Sequence, residues 1–444
     1  MRLRRPFVPL ALFLLFSTGE LDAQQPSLPQ ALPPPQPATT LGELQRAAVA
    51  MDPRSRQRQL LEAQTALRER SVQATRLPSL SLDALAQHQS DVPEAALRLP
   101  SGEPAFAGPH TTTDLSARVE QRLIDPARQG QIALEQARRD ERLAAVDTAL
   151  FSLKRQVREA FFAAYGIRER IGVLDIAFTR LLRNRDDAQN RLIAGTAVPA
   201  DVAQADAALL DLRQETESLT SRLRGVMQQI EMLAGRPMRL ENTLAMPDAR
   251  ETIVRSLGAA GARTRPEFAQ FAGAQARLSR EIDLVDAAQR PRLSAFSRVG
   301  YGRPGLNFAA DRFDVYGIVG LQVQWRPLTW GSAAREREGL RLQQEIVKAD
   351  EEAFMNTLQA SMPGYIYPIE RLEQAMADDD RIVTLREQVE QTASVRLRAG
   401  VITMSEYLAI NAELRQAQNA RAARRIELAQ KAAEMLEAAG VEMP

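Results

Sequence analysis

Apolar residues recur along this chain with two periods, and the points where the period changes mark out its elements. Leu143, Val146, Leu150, Leu153, Val157, Ala160, Ala164, Ile167, Ile171, Leu174, Phe178 and Leu181 follow one another at spacings of three and four, and Ala188 and Leu192 resume the run. The spacing predicts a helix over 128–194, roughly 100 Å long at 1.5 Å per residue. A period near 3.5 also imposes left-handed supercoiling on its neighbours. The same spacing returns from Val202 to Leu233 and stops at Gly235-Arg-Pro237. Between the two runs lies Arg191-Leu-Ile-Ala-Gly195-Thr-Ala-Val-Pro199-Ala-Asp201, which reads as the tip of a helical hairpin. Gly195 suits the left-handed residue that ends a helix. Pro199 suits the first helical position, and Asp201 puts a carboxylate in the first turn.

Elsewhere the period is two. Leu80, Leu82, Ala84 and Ala86 alternate with Ser81, Asp83, Leu85 and Gln87, and Leu115, Ala117, Val119, Gln121 and Leu123 alternate with Ser116, Arg118, Glu120 and Arg122. These predict strands at about 80–89 and 113–124, each with one apolar face.

The chain then restates itself. A helix over 266–289 leads to strands at about 293–302 and 314–326, the latter with Val315, Val319, Leu321, Val323 and Trp325 on one face. A long helix over 332–399 ends in a second tip, Arg396-Leu-Arg-Ala-Gly400-Val-Ile-Thr403-Met-Ser-Glu406, where Thr403 and Glu406 are spaced as a capping box. The copies are unequal. Pro363-Gly364 and Pro368 interrupt the second long helix, and interior proline costs about 3 kcal/mol or more, so a kink or break is expected there. The last helix, to about residue 439, has a weaker seam containing Arg421, Arg424 and Lys431. The first repeat opens with short helices, expected over 40–50 and 54–76.

Arg2, Arg4 and Arg5 followed by an apolar run to Phe16 suggest a secretory signal over 1–23. A flexible Pro-rich leader would occupy 24–39, the first repeat 40–235, a linker 236–265 and the second repeat 266–444. Nowhere later do 18 consecutive apolar residues occur, so no membrane helix is expected. An exported chain of this kind is soluble, peripheral or part of a β-barrel.

Composition narrows the chemistry. A net charge of +1 gives no electrostatic case for nucleic acid, and the absence of cysteine excludes disulfides and thiolate chemistry. His88 and His110, the only two histidines, fall in different loop-like surroundings, which argues against a histidine metal site. Neither a nucleophile elbow nor a phosphate loop is present, so neither an enzyme nor a cofactor is expected.

Strands of about 9 to 13 residues are long enough to cross a bilayer in a tilted barrel, but four cannot close one, the narrowest membrane barrels having about eight. An open edge in hydrocarbon leaves backbone groups unsatisfied, so closure needs further copies of the chain. Three copies give twelve strands; two or four remain open on arithmetic alone.

The element order, the twofold repeat, the Ala-Gly tips followed by Asp201 and Glu406, the segment Leu77-Pro-Ser-Leu-Ser81 and the strand end Pro327-Leu-Thr-Trp-Gly331 resemble the outer-membrane efflux protein (TolC-like) family over about residues 40–440. The resemblance implies a mainly α fold with a small membrane β-part. In a homotrimer, four strands per chain would complete a 12-stranded outer-membrane barrel that continues into a periplasmic helical tunnel. It implies docking onto a periplasmic adaptor and an inner-membrane pump, with export of drugs, metals or polypeptides. Arg191, Gly195, Arg396 and Gly400 become docking candidates, and Asp201 and Glu406 candidates for an acidic entrance. Dipole complementarity at the helix starts, worth about 0.3–1 kcal/mol, is the alternative for the two acids. Family patterns often place a further acid where this chain has Ala409, and Leu397 and Ile402 offer no polar partner for a gate. Val315, Val319, Leu321, Val323 and Trp325 would face lipid, with Trp325 and Trp330 suited to an interfacial girdle. The competing readings are a soluble sandwich core for the strands and a periplasmic coiled-coil scaffold or adaptor for the whole.

Overall fold

The computed structural model describes residues 38–102, 104–248, 264–307 and 311–441. The signal segment, most of the leader and half of the linker lie outside the described residues. The elements are α1 (Leu41–Met51), α2 (Ser55–Ala74), β1 (Ser79–His88), β2 (Thr111–Ile124), α3 (Ala127–Ile193), α4 (Pro199–Ala234), α5 (Pro266–Ala288), β3 (Arg292–Arg303), β4 (Asp314–Gln324), α6 (Ser332–Ser361), α7 (Pro363–Arg398) and α8 (Met404–Ala438). Among the described residues no helix is long and apolar enough to cross a membrane.

The helix α3, 67 residues long, is the spine. Near the strands it packs on α2 and α5, so closely that a Cβ on Gly273 would meet the Glu141 backbone at 2.9 Å. Midway, Leu153, Val157 and Phe161 join Leu41 and Leu44 of α1, Met227 and Ile230 of α4 and Leu436 of α8 in one core. At the far end, Leu174, Leu181 and Ala188 meet Val202 and Leu209 of α4, Leu397 of α7 and Tyr407 of α8 in a second core. Leu153, Val157, Leu174, Leu181, Ala188, Val202, Leu209 and Ile230 are three-and-four positions of the sequence, buried as such helices bury their seams, while Phe161 and Met227 each lie one residue past a position of that run.

The expected fault in the second long helix falls at Met362, between α6 and α7. Pro363 has no N–H to donate. The Met362 N–H turns to the Gln359 carbonyl at 3.2 Å, and Tyr365 and Ile366 both donate to the Met362 carbonyl at 2.9 and 3.1 Å. Met362 itself keeps helical angles (φ −58, ψ −46), and Pro363 takes the first position of α7, where proline is tolerated. Pro368 lies inside α7 without ending it. The polar seam is filled by charge pairs: Arg424 binds the buried Asp379, and Arg421 reaches Asp380 at 2.8 Å.

The four strands form one antiparallel sheet in the order β1-β2-β3-β4. Register places Leu82 opposite Ala117, Ala117 opposite Val299, and Val299 opposite Gly317; one row down, Val119 faces Ser297, which faces Val319. The apolar rows therefore lie on one face across all four strands. That face is the uncovered one. Leu82 is 76 % and Val319 84 % exposed, while Ser116 on the opposite face is 3 % exposed. A soluble sheet does the reverse.

On the covered face Arg298 donates to Asp114 and, at 3.0 Å, to the Ser116 hydroxyl, and the Tyr316 hydroxyl also donates to Asp114. Arg118 lies 5.2 Å over the Phe296 ring. Two rings are laid over cross-strand glycines: a Cβ on Gly300 would meet Tyr316 at 2.4 Å, and one on Gly320 would meet Phe296 at 2.8 Å. Trp325 stands one residue past β4, and its indole N–H donates to the Gln289 carbonyl at 3.0 Å.

The histidines are not in separate surroundings. His88 ends β1 and His110 precedes β2, so the antiparallel pairing brings their rings to 6.1 Å at the base of one loop. His110 Nδ1 bonds the Gln89 carbonyl at 3.0 Å, and His88 Nδ1 lies 3.1 Å from the Thr111 hydroxyl. Among the described residues no group of three or more metal-binding side chains assembles.

Candidate functional site

The two tips share one backbone design. At the first, the Thr196 N–H donates to the Arg191 carbonyl at 2.8 Å and the Gly195 N–H to Leu192 at 3.0 Å. At the second, Val401 donates to Arg396 at 2.9 Å and Gly400 to Leu397 at 3.0 Å. Gly195 has φ +75 and Gly400 φ +72, the left-handed step that this pair of bonds requires.

The side chains then tie one tip to the other. Arg191 donates through NH1 to the Leu397 carbonyl at 2.7 Å, crossing from the end of α3 to the end of α7. Asp201, in the first turn of α4, accepts from the Met404 N–H of α8 at 3.3 Å. Glu406 accepts from the Thr403 N–H at 2.8 Å while its own N–H donates to the Thr403 hydroxyl at 3.3 Å, completing the expected capping box. Two carboxylates thus converge on the first turn of α8, where the helix dipole favours negative charge. The Thr403 backbone N–H, then its hydroxyl, hold the Glu406 carboxyl below its ordinary pKa, with Arg396 adding to the effect. Arg396, Gly195 and Gly400 are exposed; Arg191 is half-buried.

Just above the tips lies a polar cluster that the sequence reading passed over. Tyr407, with no exposed surface, donates its hydroxyl to Glu390 at 2.7 Å, and Asn411 approaches that hydroxyl at 3.5 Å. Ser394 donates to Asn184 Oδ1 at 3.1 Å. Asn184, Glu390 and Asn411 are buried, on α3, α7 and α8 respectively. Burial first, then Glu390, pushes the Tyr407 hydroxyl far above its ordinary pKa, so it stays a donor. The available signal was the interval between Leu181 and Ala188, where the seam position is Asn184 and not an apolar residue.

A small antiparallel sheet with one apolar face exposed, mounted on two long helical hairpins, is a fold shared with several solved outer-membrane channels. The outer-membrane channel OprN matches with a TM-score of 0.60 and 17% identity, over 90% of this chain and 89% of that one. CusC, described in terms of folding and transmembrane channel formation, matches with a TM-score of 0.66 and 12% identity, over 90% and 92%. The outer-membrane protein VceC from Vibrio cholerae gives 0.63 and 14% identity, over 91% and 97%. Neither a protein-family model nor a curated protein sequence matches the chain. The TolC-like fold implied by the resemblance is the fold observed.

Proposed function

We propose that three copies of this chain form an outer-membrane channel-tunnel, which passively conducts cargo from a periplasmic adaptor and inner-membrane pump to the exterior. The observation that carries the reading is the inverted sheet: apolar rows outward, a hydrogen-bonded polar face inward, and free edges at β1 and β4. Only lipid around the sheet and further copies at its edges satisfy both features. The helices support it too. α6 buries only Ala333 among its described residues, and Leu342 and Ile346 of α6 with Leu385 and Val389 of α7 stand exposed, as a subunit interface would leave them. A periplasmic scaffold offers no account of the outward apolar sheet. No catalytic step belongs to the proposal.

The test is fractionation followed by planar-bilayer recording. An SDS-resistant, heat-sensitive trimer in the outer membrane with single-channel conductance is the expected result. A soluble periplasmic monomer or dimer without conductance would establish the scaffold reading instead.

The tips are the proposed adaptor-docking surface and entrance. Arg191 is engaged within the chain, so Arg396, Gly195 and Gly400 remain the outward contacts, while Asp201 and Glu406 contribute whatever charge the entrance carries. Gly400→Trp strains a left-handed position and puts bulk beside Arg191, whose NH1 lies 3.9 Å from the site of a Cβ. It is expected to abolish export in cells while the purified trimer still assembles; undiminished export would remove this tip from docking.

A further inference from the structure

Where the sheet meets the helices, the chain displays a rim that neither the core nor the polar face uses. Gln121 donates to the Arg76 carbonyl at 3.3 Å, and Trp325 donates to the Gln289 carbonyl at 3.0 Å. Arg292 pairs in register with Gln324. These contacts put Arg76, Arg290, Trp325 and Arg326 at the same, helix-side end of the sheet, just below the apolar rows that finish at Leu123 and Val323.

Two observations mark this rim as a surface for a ligand. The first is unpaired charge. Neighbouring cations are engaged: Arg122 and Arg292 with Asp125, Arg337 with Asp286, and Arg335 with the Trp330 carbonyl at 3.0 Å. Arg76, Arg290 and Arg326 are exposed, and among the described residues no carboxylate pairs with them. The second is the way Trp330 is held. It has φ +50, a left-handed conformation that a tryptophan avoids, directly before Gly331 at φ +74. The Ser332 N–H bond to Thr329 at 2.9 Å and the Arg335 bond to Trp330 fix this turn. The result is an indole 82 % exposed beside an exposed Leu328. A strained turn that presents an indole to solvent buries nothing within this chain.

We infer that this rim is a docking collar for anionic phospholipid headgroups of the leaflet on the helix side. Arg76, Arg290 and Arg326 receive the phosphates, and Trp325, Leu328 and Trp330 enter the glycerol and upper acyl region. Guanidinium binds phosphate oxygens through paired N–H donors, and indoles settle at the headgroup level of a bilayer. Charge and apolar surface at one depth, continuous with the outward face of the sheet, fit a lipid surface better than a protein partner. The inference rests on the channel reading and adds where the membrane stops on this chain and which lipid it selects.

The chain contains two tryptophans, so Trp325→Phe leaves Trp330 as the sole indole. The full-length trimer carrying that change would be reconstituted in phosphatidylcholine vesicles, with and without phosphatidylglycerol, and its conductance recorded. Phospholipids brominated near the headgroup are expected to quench Trp330 more strongly than those brominated near the chain end. Spin-labelled phosphatidylglycerol is expected to associate with the trimer at least about twofold more strongly than phosphatidylcholine, and R76Q/R290Q/R326Q to bring the two to parity. If Trp330 escapes lipid quenching in a conducting trimer, or is shielded from aqueous acrylamide without it, a protein covers the rim and the inference is overturned. Retention of the lipid preference by the triple variant overturns it equally. Failure to insert or conduct at all would instead sink the channel reading.

Discussion

Val319→Arg is expected to eliminate the SDS-resistant trimer from the outer membrane, whereas Gln322→Arg on the same strand leaves it in place. Val319 is at the middle of β4, on the exposed apolar face, opposite Ser297. An arginine at the bilayer midplane costs ~2–4 kcal/mol, a penalty that a trimer carries three times. Gln322 lies on the other face, opposite Ser294, where a cation meets water and not hydrocarbon. Heated and unheated gel samples of outer-membrane fractions read the contrast directly. Equal recovery of both variants would mean that the apolar face does not meet lipid, and the soluble-sandwich reading of the strands would return.

The second large effect is expected at Tyr407. Tyr407→Phe removes the hydroxyl that donates to the buried Glu390, and a buried acceptor left without its donor costs about 1–3 kcal/mol, more when charged. Tyr407→Ala adds a cavity in the core around the tips, for about 3–5 kcal/mol in all. Hydrogen exchange of amides around Glu390 in α7 and Tyr407 in α8 is expected to quicken roughly tenfold or more in the Phe variant, since 1.4 kcal/mol corresponds to a factor of ten. Glu390→Gln in the Tyr407→Phe background should recover part of the loss, because an amide tolerates a missing donor better than a carboxylate. Unchanged exchange in Tyr407→Phe would show that this bond contributes nothing to holding α8 against α7.

Much of this fold was legible because it is written in periods. Spacings of three and four gave α3 and α4 nearly to the residue, alternation gave β1, β2 and β4, the restated order of elements gave β3, and Thr403 with Glu406 gave a cap. The break at Pro363 was legible for a covalent reason, the missing N–H. What periodicity does not carry is which distant positions meet. Arg191 read as an outward docking candidate because its acceptor, the Leu397 carbonyl, belongs to the other hairpin. Asp201 read as a carboxylate complementing the dipole of its own helix or lining an entrance, yet it bonds the Met404 N–H of α8. The two histidines seemed unrelated until strand pairing joined them. Tyr316 and Phe296 over their glycines are likewise a product of register, which no single strand reveals.

The free edges of β1 and β4 have a bearing on how the molecule is made. Each edge is a row of unsatisfied donors and acceptors, beside an apolar face with nothing to cover it, which is the geometry that invites indiscriminate strand pairing. For a trimer, no intermediate of one or two chains can hide these rows, since only the third closes the circle. Assembly of such a trimer would therefore depend steeply on chain concentration and race against aggregation. Under the channel reading, escort of lone chains and a supply rate matched to it would be as much a requirement as any contact within the chain.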